Sequence, residues 1–258
     1  MTSWSTLDGE LEAWAAAGKR ATLWWRDDDA AEDSPALEKL LTLAEGAAVP
    51  LVIAVIPAAL RKAAAARINA SAAPGLAVVQ HGYAHTNHAR DGEKKIELGG
   101  ANPADECRAH LHMGREIMSR RFPEQFLPAL VPPWNRIDPD LIKQLPALGY
   151  ATLSTYGARK TAAPKSGLKQ INCHIDILNW RQGAAFLGES ETLELACTHL
   201  CARRLGEVDA DEPTGILSHH LRQDDAAWRF LAEYLDRTAA HPGAAWPRPN
   251  TIFAAAAS

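Results

Sequence analysis

The chain has 258 residues, of which 47% are hydrophobic, with a formal net charge of −4 and a pI near 6.2. That is enough apolar material for one large core, and it argues against wholesale disorder. The mild acidity, with basic residues scattered along the chain, argues against a general electrostatic grip on nucleic acid.

Apolar and polar residues alternate at helical spacing from Ser5 to Gly18, which predicts a first helix. The opening segment carries Asp8, Glu10 and Glu12 and lacks a basic region followed by an apolar one, so no signal peptide is expected. No run approaches the ~18 apolar residues of a membrane span. A soluble, cytoplasmic protein is the expectation. ATLWW, Ala21 to Trp25, reads as a short buried strand that stops where three aspartates begin. Ser34-Pro35 opens a second helix, with proline in its first turn, running to about Gly46. Pro50 to Pro57 is a nearly continuous β-branched run, the pattern of a strand buried on both faces.

The alternation continues with a helix over 61–70, a strand over 76–80, a long helix over 103–121 and a strand within FLPALVPPW. A helix over 140–148 ended by Gly149 follows, then ATLST and KQINCHIDIL as strands. Thr192 to Leu205 is expected to be helical, GILSHH a strand and Asp224 to Arg237 a helix. AHPGAAWPRPN reads as an ordered surface loop before a last short segment. Strand and helix alternate with short connections and no dividing linker, which predicts a single α/β domain over 1–258, a closed or nearly closed (β/α) barrel with a motif-bearing core of about 21–237. The four cysteines form no CxxC pair and are read as small core residues, Cys197 and Cys201 sharing one helix face.

Active-site residues of such barrels sit at the C-terminal strand ends. Polar groups gather there: Arg26-Asp27-Asp28-Asp29 after the first strand, and His81, His85 and His88 in HGYAHTNH. PPWN follows the strand around Ala129–Val131, His174 and Asp176 lie in INCHIDIL, and Ser218-His219-His220 follow the last strand. Two histidines at His-x-x-x-His spacing on one helical turn, with one carboxylate from the aspartate run, make a metal-binding set with open positions for water. A bound cation would also relieve the repulsion among three adjacent carboxylates.

These motifs, in this order, resemble the polysaccharide deacetylase (NodB-homology, carbohydrate esterase family 4-like) superfamily. HGYAH, then GEKKIELGG and VPPW, look most like its HGY-x-H branch, and the resemblance spans roughly Leu23 to His220. It implies a distorted (β/α) barrel with fewer than eight regular strands, and metal-dependent removal of an N-acetyl or similar acyl group from an amino-sugar-containing substrate. By this resemblance His81 and His85 are metal ligands and His219, in Leu217-Ser218-His219, is the general acid. The aspartates admit two registers. In one, Asp28 is the base and Asp29 the ligand; in the other, Asp27 is the base and Asp28 the ligand. The first is preferred because Arg26 then precedes the pair.

The family's third-motif arginine is missing from Val131-Pro132-Pro133-Trp134-Asn135-Arg136, leaving Arg26 or Arg136 as replacements. Asp176 and Trp180 match the fourth motif, as a partner for His219 and a pocket wall. Trp134, Asn135, Asp176 and Trp180 are therefore assigned to the substrate, with Tyr83 as a further stacking candidate. The implied cofactor is a divalent metal, zinc first, with cobalt, nickel or manganese compatible. The implied partner is a small-molecule or oligosaccharide substrate. The rival readings are a degenerate metal- or sugar-binding protein without turnover, and a metal-dependent hydrolase of a non-carbohydrate C–N bond.

Overall fold

The computed structural model describes residues 1–253. Its strands in chain order are β1 (Ala21–Ala30), β2 (Leu51–Val55), β3 (Ala77–His81), β4 (Phe126–Val131), β5 (Thr152–Leu153) and β6 (Lys169–Gln170), followed by β7 (Ile175–Asp176), β8 (Leu178–Asn179), β9 (Ala185–Phe186), β10 (Thr214–Ser218) and β11 (Ala244–Ala245). The helices are α1 (Trp4–Ala16), α2 (Pro35–Ala47), α3 (Lys62–Ala70), α4 (Ala104–Arg121), α5 (Pro139–Ile142), α6 (Glu189–Leu205), α7 (Asp225–Ala240) and α8 (Pro249–Phe253).

The main sheet is parallel and runs β6-β5-β4-β3-β2-β1-β10-β7. Its two ends, β6 and β7, are halves of one extended segment. Residues up to Cys173 pair with the β5 side, where Ile171 N donates to Leu153 O and Cys173 N to Thr155 O. From His174, whose N donates to Gly215 O, the segment pairs with β10. One segment thus bridges both edges of the curled sheet. This is the distorted barrel expected from the sequence, with the single strand read in KQINCHIDIL broken where it changes partner.

Strand residues alternate between two apolar layers. Trp24, Val52, Ala54, Ala77, Val79, Ala129, Val131 and Leu217 fill the lumen, and Ile252 and Phe253 of α8 plug it from the N-terminal end of the strands. Phe253 meets Trp24 edge-on at 5.3 Å. Trp25, Leu51, Ile53, Val78 and Ile216 face outward against the helices. Every residue of β2 is buried because both of its faces are covered. Helix starts follow local chemistry: Ser34 accepts from Leu37 N ahead of Pro35, and Asp224 accepts from Ala227 N at α7. Among the described residues, no helix is long and apolar enough to cross a membrane.

Three further elements differ from the sequence reading. β1 does not stop at Trp25 but runs through the aspartates to Ala30, because β10 pairs with it as far as Asp27 and β2 pairs with Ala30 after a register shift. The helix expected over 140–148 is the short α5 followed by turns. The stretch expected as a surface loop contains β11, which extends the sheet by pairing with Ala21 and Thr22, and leads into the α8 plug. The four cysteines are free, with Cys107 and Cys173 buried and Cys197 and Cys201 half-buried along α6.

Candidate active site

The alternation of β1 sorts its charges. Arg26 and Asp28 point into the lumen, whereas Asp27 faces the helix layer on the side of Ser218. Arg26 is completely buried, a costly place for a cation unless it is paired. Its Nη2 donates to Asp28 Oδ2 at 3.0 Å, and its Nε lies 2.8 Å from Oδ1 in ion-pair contact, so the guanidinium clamps the carboxylate. Nη1 donates to Ser154 Oγ at 2.8 Å and Nη2 to Asn135 Oδ1 at 2.8 Å. Asp28 holds the Arg26 guanidinium above its ordinary pKa despite burial. Of the two arginines considered as replacements for the missing third-motif arginine, Arg26 is the one that contacts an aspartate of the run. Arg136 instead donates from Nη1 to Lys95 O at 2.9 Å.

Asp27 is fully engaged elsewhere. Ser218 Oγ donates to its Oδ2 at 2.6 Å, His220 N to the same oxygen at 3.0 Å, and His220 Nδ1 to Oδ1 at 2.5 Å. Trp25 Nε1 donates to Ser218 Oγ at 2.8 Å, closing a buried network that ties β1 to β10. Burial disfavours the His220 imidazolium, but Asp27 outweighs it and raises the pKa.

Asp29 breaks the strand: its φ of 72° is left-handed, and this turn brings the carboxylate to the histidines. Asp29 Oδ1 lies 3.1 Å from His81 Nε2 and 3.3 Å from His85 Nε2. His81 ends β3, and its Nδ1 donates to Val131 O at 3.0 Å, so the Nε2 lone pair faces Asp29. Burial works against ionised Asp29, yet His81, with His219 and His85, holds its pKa well below the usual carboxylate range. The same carboxylates, Asp28 before Asp29, raise His81 against its burial. Burial and the neighbouring His81 lower His85.

The HGYAH segment is a loop and not the helical turn expected from the spacing. Backbone geometry aims the two imidazoles instead. Gly82 has φ 53°, and an added Cβ would collide with the Glu97 carboxylate and the Pro133 ring. Glu97, itself buried, accepts from Tyr83 N at 3.1 Å and Ala84 N at 2.6 Å and fixes the loop. His85 then adopts φ 57° and packs on Trp134 at 4.4 Å.

These groups line one cavity of about 730 Å³ at the C-terminal ends of the strands, with Asp28, Trp134, Asn135, Asp176, Trp180 and His219 among its walls. Among the described residues, the non-glycine residues with left-handed backbone are Asp29, Ala48, His85, Trp134, Asn135 and Ala184. Four of those six line this cavity, each at a cost of about 1–2 kcal/mol that ordinary packing gives no reason to accept.

Asp176 does not reach His219 by a hydrogen bond. It accepts from Leu178 N at 3.0 Å and Trp180 Nε1 at 2.8 Å, and burial raises its pKa. Trp180 in turn meets His219 edge-on at 4.7 Å, so the indole lies between Asp176 and the acid candidate. Asn135 lines the cavity but spends its Oδ1 on Arg26. Tyr83 stacks on His110 at 4.6 Å and is not part of the cavity wall. Tyr156, 42% exposed, Lys95 and Arg222 also line it, and the sequence reading gave none of them a role.

The ligand atoms of Asp29, His81 and His85 lie within 4.8 Å of one another, and Asp29 Oδ1 has no hydrogen-bond partner. With the His81 Nε2 lone pair and His85 Nε2 meeting a half-buried carboxylate, this trio fits a divalent cation. A second trio, His174, His199 and Glu212, lies at the opposite end of β10. There His174 Nδ1 accepts from Gly215 N, so its Nε2 carries the proton toward Glu212 and offers no lone pair to a cation.

Fold and site together define a parallel α/β barrel with an Asp-His-His cluster and a clamped aspartate at its mouth. The fold is that of the NodB-homology, carbohydrate esterase family 4 deacetylases. A Mycobacterium smegmatis protein described as a polysaccharide deacetylase aligns with a TM-score of 0.67 at 18% identity, over 91% of this chain and 89% of its own. The Bc1960 peptidoglycan N-acetylglucosamine deacetylase, solved with a naphthalenyl N-oxidanyl-benzamide, aligns at 0.55 and 16%, over 92% and 90%. A family 4 acetyl xylan esterase from Clostridium thermocellum, in complex with cobalt, aligns at 0.50 and 12%, over 84% and 82%. No family model and no curated protein sequence matches the chain.

Proposed function

We propose that the chain is a metal-dependent deacetylase that hydrolyses the N-acyl group of an amino-sugar-containing substrate. The observation that carries this reading is the convergence of Asp29, His81 and His85 beside the Arg26-clamped Asp28 and His219, in one cavity with exposed aromatic walls.

Asp29, His81 and His85 would hold the divalent cation, zinc by its two-histidine, one-carboxylate donor set, which supplies a Lewis acid for an amide carbonyl and an acidified water. Asp28 is the general base. Its Oδ2 accepts a bond from Arg26 Nη2, while Oδ1, 2.8 Å from Arg26 Nε, has no hydrogen-bond partner among the described residues and is free to take the water proton. The water oxygen adds to the acyl carbon, the C–N bond breaks, and His219 hands a proton to the departing amine. Proton transfers of this kind contribute about 10²–10⁴-fold each. A backbone N–H of the left-handed turn at Trp134 would stabilise the developing oxyanion, as the family resemblance implies. Trp134, Tyr156 and Trp180 offer stacking faces for a sugar ring, and Asn135 positions Arg26.

The test pairs metal analysis of the purified protein with acetate release from a panel of N-acetylated amino sugars. The reading requires about one divalent cation per chain, its loss in His81→Ala, and acetate release by the loaded protein. Bound metal without turnover of any N-acetyl amide would leave a binding protein. Full metal retention in His81→Ala would overturn the site itself.

A further inference from the structure

The cavity mouth has a charge that the catalytic reading does not use. Lys95, Arg136 and Arg222 line it, although the chain as a whole carries a net charge of −4. Among the described residues, none of the three is in a salt bridge, and the carboxylates of the same cavity are otherwise engaged. Asp28 is clamped by Arg26, Asp29 meets His81 and His85, and Asp176 binds Trp180 and Leu178 N.

The three cations stand on two sides of the opening. Lys95 Nζ lies 5.9 Å over the Trp134 ring, which packs on His85, and Arg136 pins the Lys95 backbone. Opposite, Arg222 N donates to His219 O at 2.8 Å, so its side chain springs from the turn that carries the acid candidate. The neutral donors between them are largely consumed. Tyr156 Oη donates to His174 O, and Trp180 Nε1 to Asp176. The hydrogen-bonding capacity left for a ligand at the mouth is thus mostly cationic.

We infer that the substrate bears an anionic group, a carboxylate or a phosphate, close to its acylated amine, and that Lys95, Arg136 and Arg222 recognise it. An anion at this opening collects charge-assisted hydrogen bonds from them that a neutral glycan cannot make. This rests on the deacetylase reading for the position of the amide but not for the preference itself, which is measured as binding.

The experiment is calorimetric titration of the cation-loaded full chain carrying Asp28→Asn. Three ligands share one sugar core: N-acetylglucosamine, its 6-phosphate, and N-acetylmuramate. Tighter binding of at least one anionic sugar, by about tenfold, is expected from one or two charge-assisted contacts. The ratio falls toward one in about 0.5 M salt and in the Lys95→Ser/Arg222→Ser variant. Which anion binds better identifies carboxylate or phosphate as the source. Equal affinity for all three ligands, no binding of either anionic sugar, or a preference that survives the double substitution overturns the inference. Anion preference without acetate release by the unsubstituted protein would count against the hydrolase reading and leave this one standing.

Discussion

Removing the Arg26 guanidinium should expose how much of this site depends on one buried ion pair. Arg26 has no exposed surface and Asp28 almost none, and two short contacts join them. In Arg26→Leu the Asp28 carboxylate stays buried without its counter-charge, and Ser154 and Asn135 lose a donor. Breaking a buried pair from one side costs about 3–5 kcal/mol, whereas replacing both partners by apolar groups is often near neutral. Arg26→Leu/Asp28→Leu should therefore be more stable than Arg26→Leu alone, with a coupling of about 3 kcal/mol in a double-mutant cycle. Urea unfolding of the four proteins, followed by circular dichroism, reads that coupling. Should Arg26→Leu be insoluble while the double variant folds, the coupling has the same sign. Additive costs, with a coupling under about 0.5 kcal/mol, would refute the clamp.

Three further outcomes follow from the same geometry. Burial and the adjacent His174 push His199 down to about 2, so its neutral form belongs to the folded state. A depressed histidine costs stability as pH falls below its unfolded value near 6.5, by about 1.4 kcal/mol per pH unit, and His199→Gln should flatten that acid-side loss in thermal melts. An unchanged acid slope would refute it. His220→Ala leaves Asp27 with one fewer partner in a sealed layer and should destabilise by about 3 kcal/mol in urea unfolding, while cation binding at His81 and His85 persists; a cost below ~0.5 kcal/mol would remove the network from the account. Trp180→Ala removes both a stacking face and the indole between Asp176 and His219. It should lower kcat as well as raise KM, and a change in KM alone would mean that the indole only binds.

Much of this was legible in the residues. Strand-end histidines and aspartates lie at the mouth of a barrel because parallel strands deliver their C-terminal ends to one rim. β1 was read too short because adjacent aspartates look like a strand stop; in the fold each finds a separate neutraliser, His220, Arg26 or the His81–His85 pair. The alternation rule separates Asp27 from Asp28, but not the break at Asp29, since a left-handed φ on an aspartate leaves no periodic trace. His-x-x-x-His spacing suggested a helical turn, whereas a glycine and a buried glutamate build the loop. Glu97 lies in the GEKKIELGG stretch but was given no role, because its partners are backbone N–H groups 13 and 14 residues away. The barrel was expected, but how it closes was hidden for a similar reason: one segment changes partners at Cys173–His174, and partner choice is not written in local sequence.

The most direct measurement is acetate release by the cation-loaded protein and its Asp28→Asn variant, with metal content determined on the same samples. Asp28 touches none of the proposed ligands' hydrogen-bonding atoms, so the variant should keep its metal and lose at least about 10²-fold in kcat, the share of a positioned base. Undiminished acetate release from metal-replete Asp28→Asn would contradict the assignment of the base, and with it the account of the site.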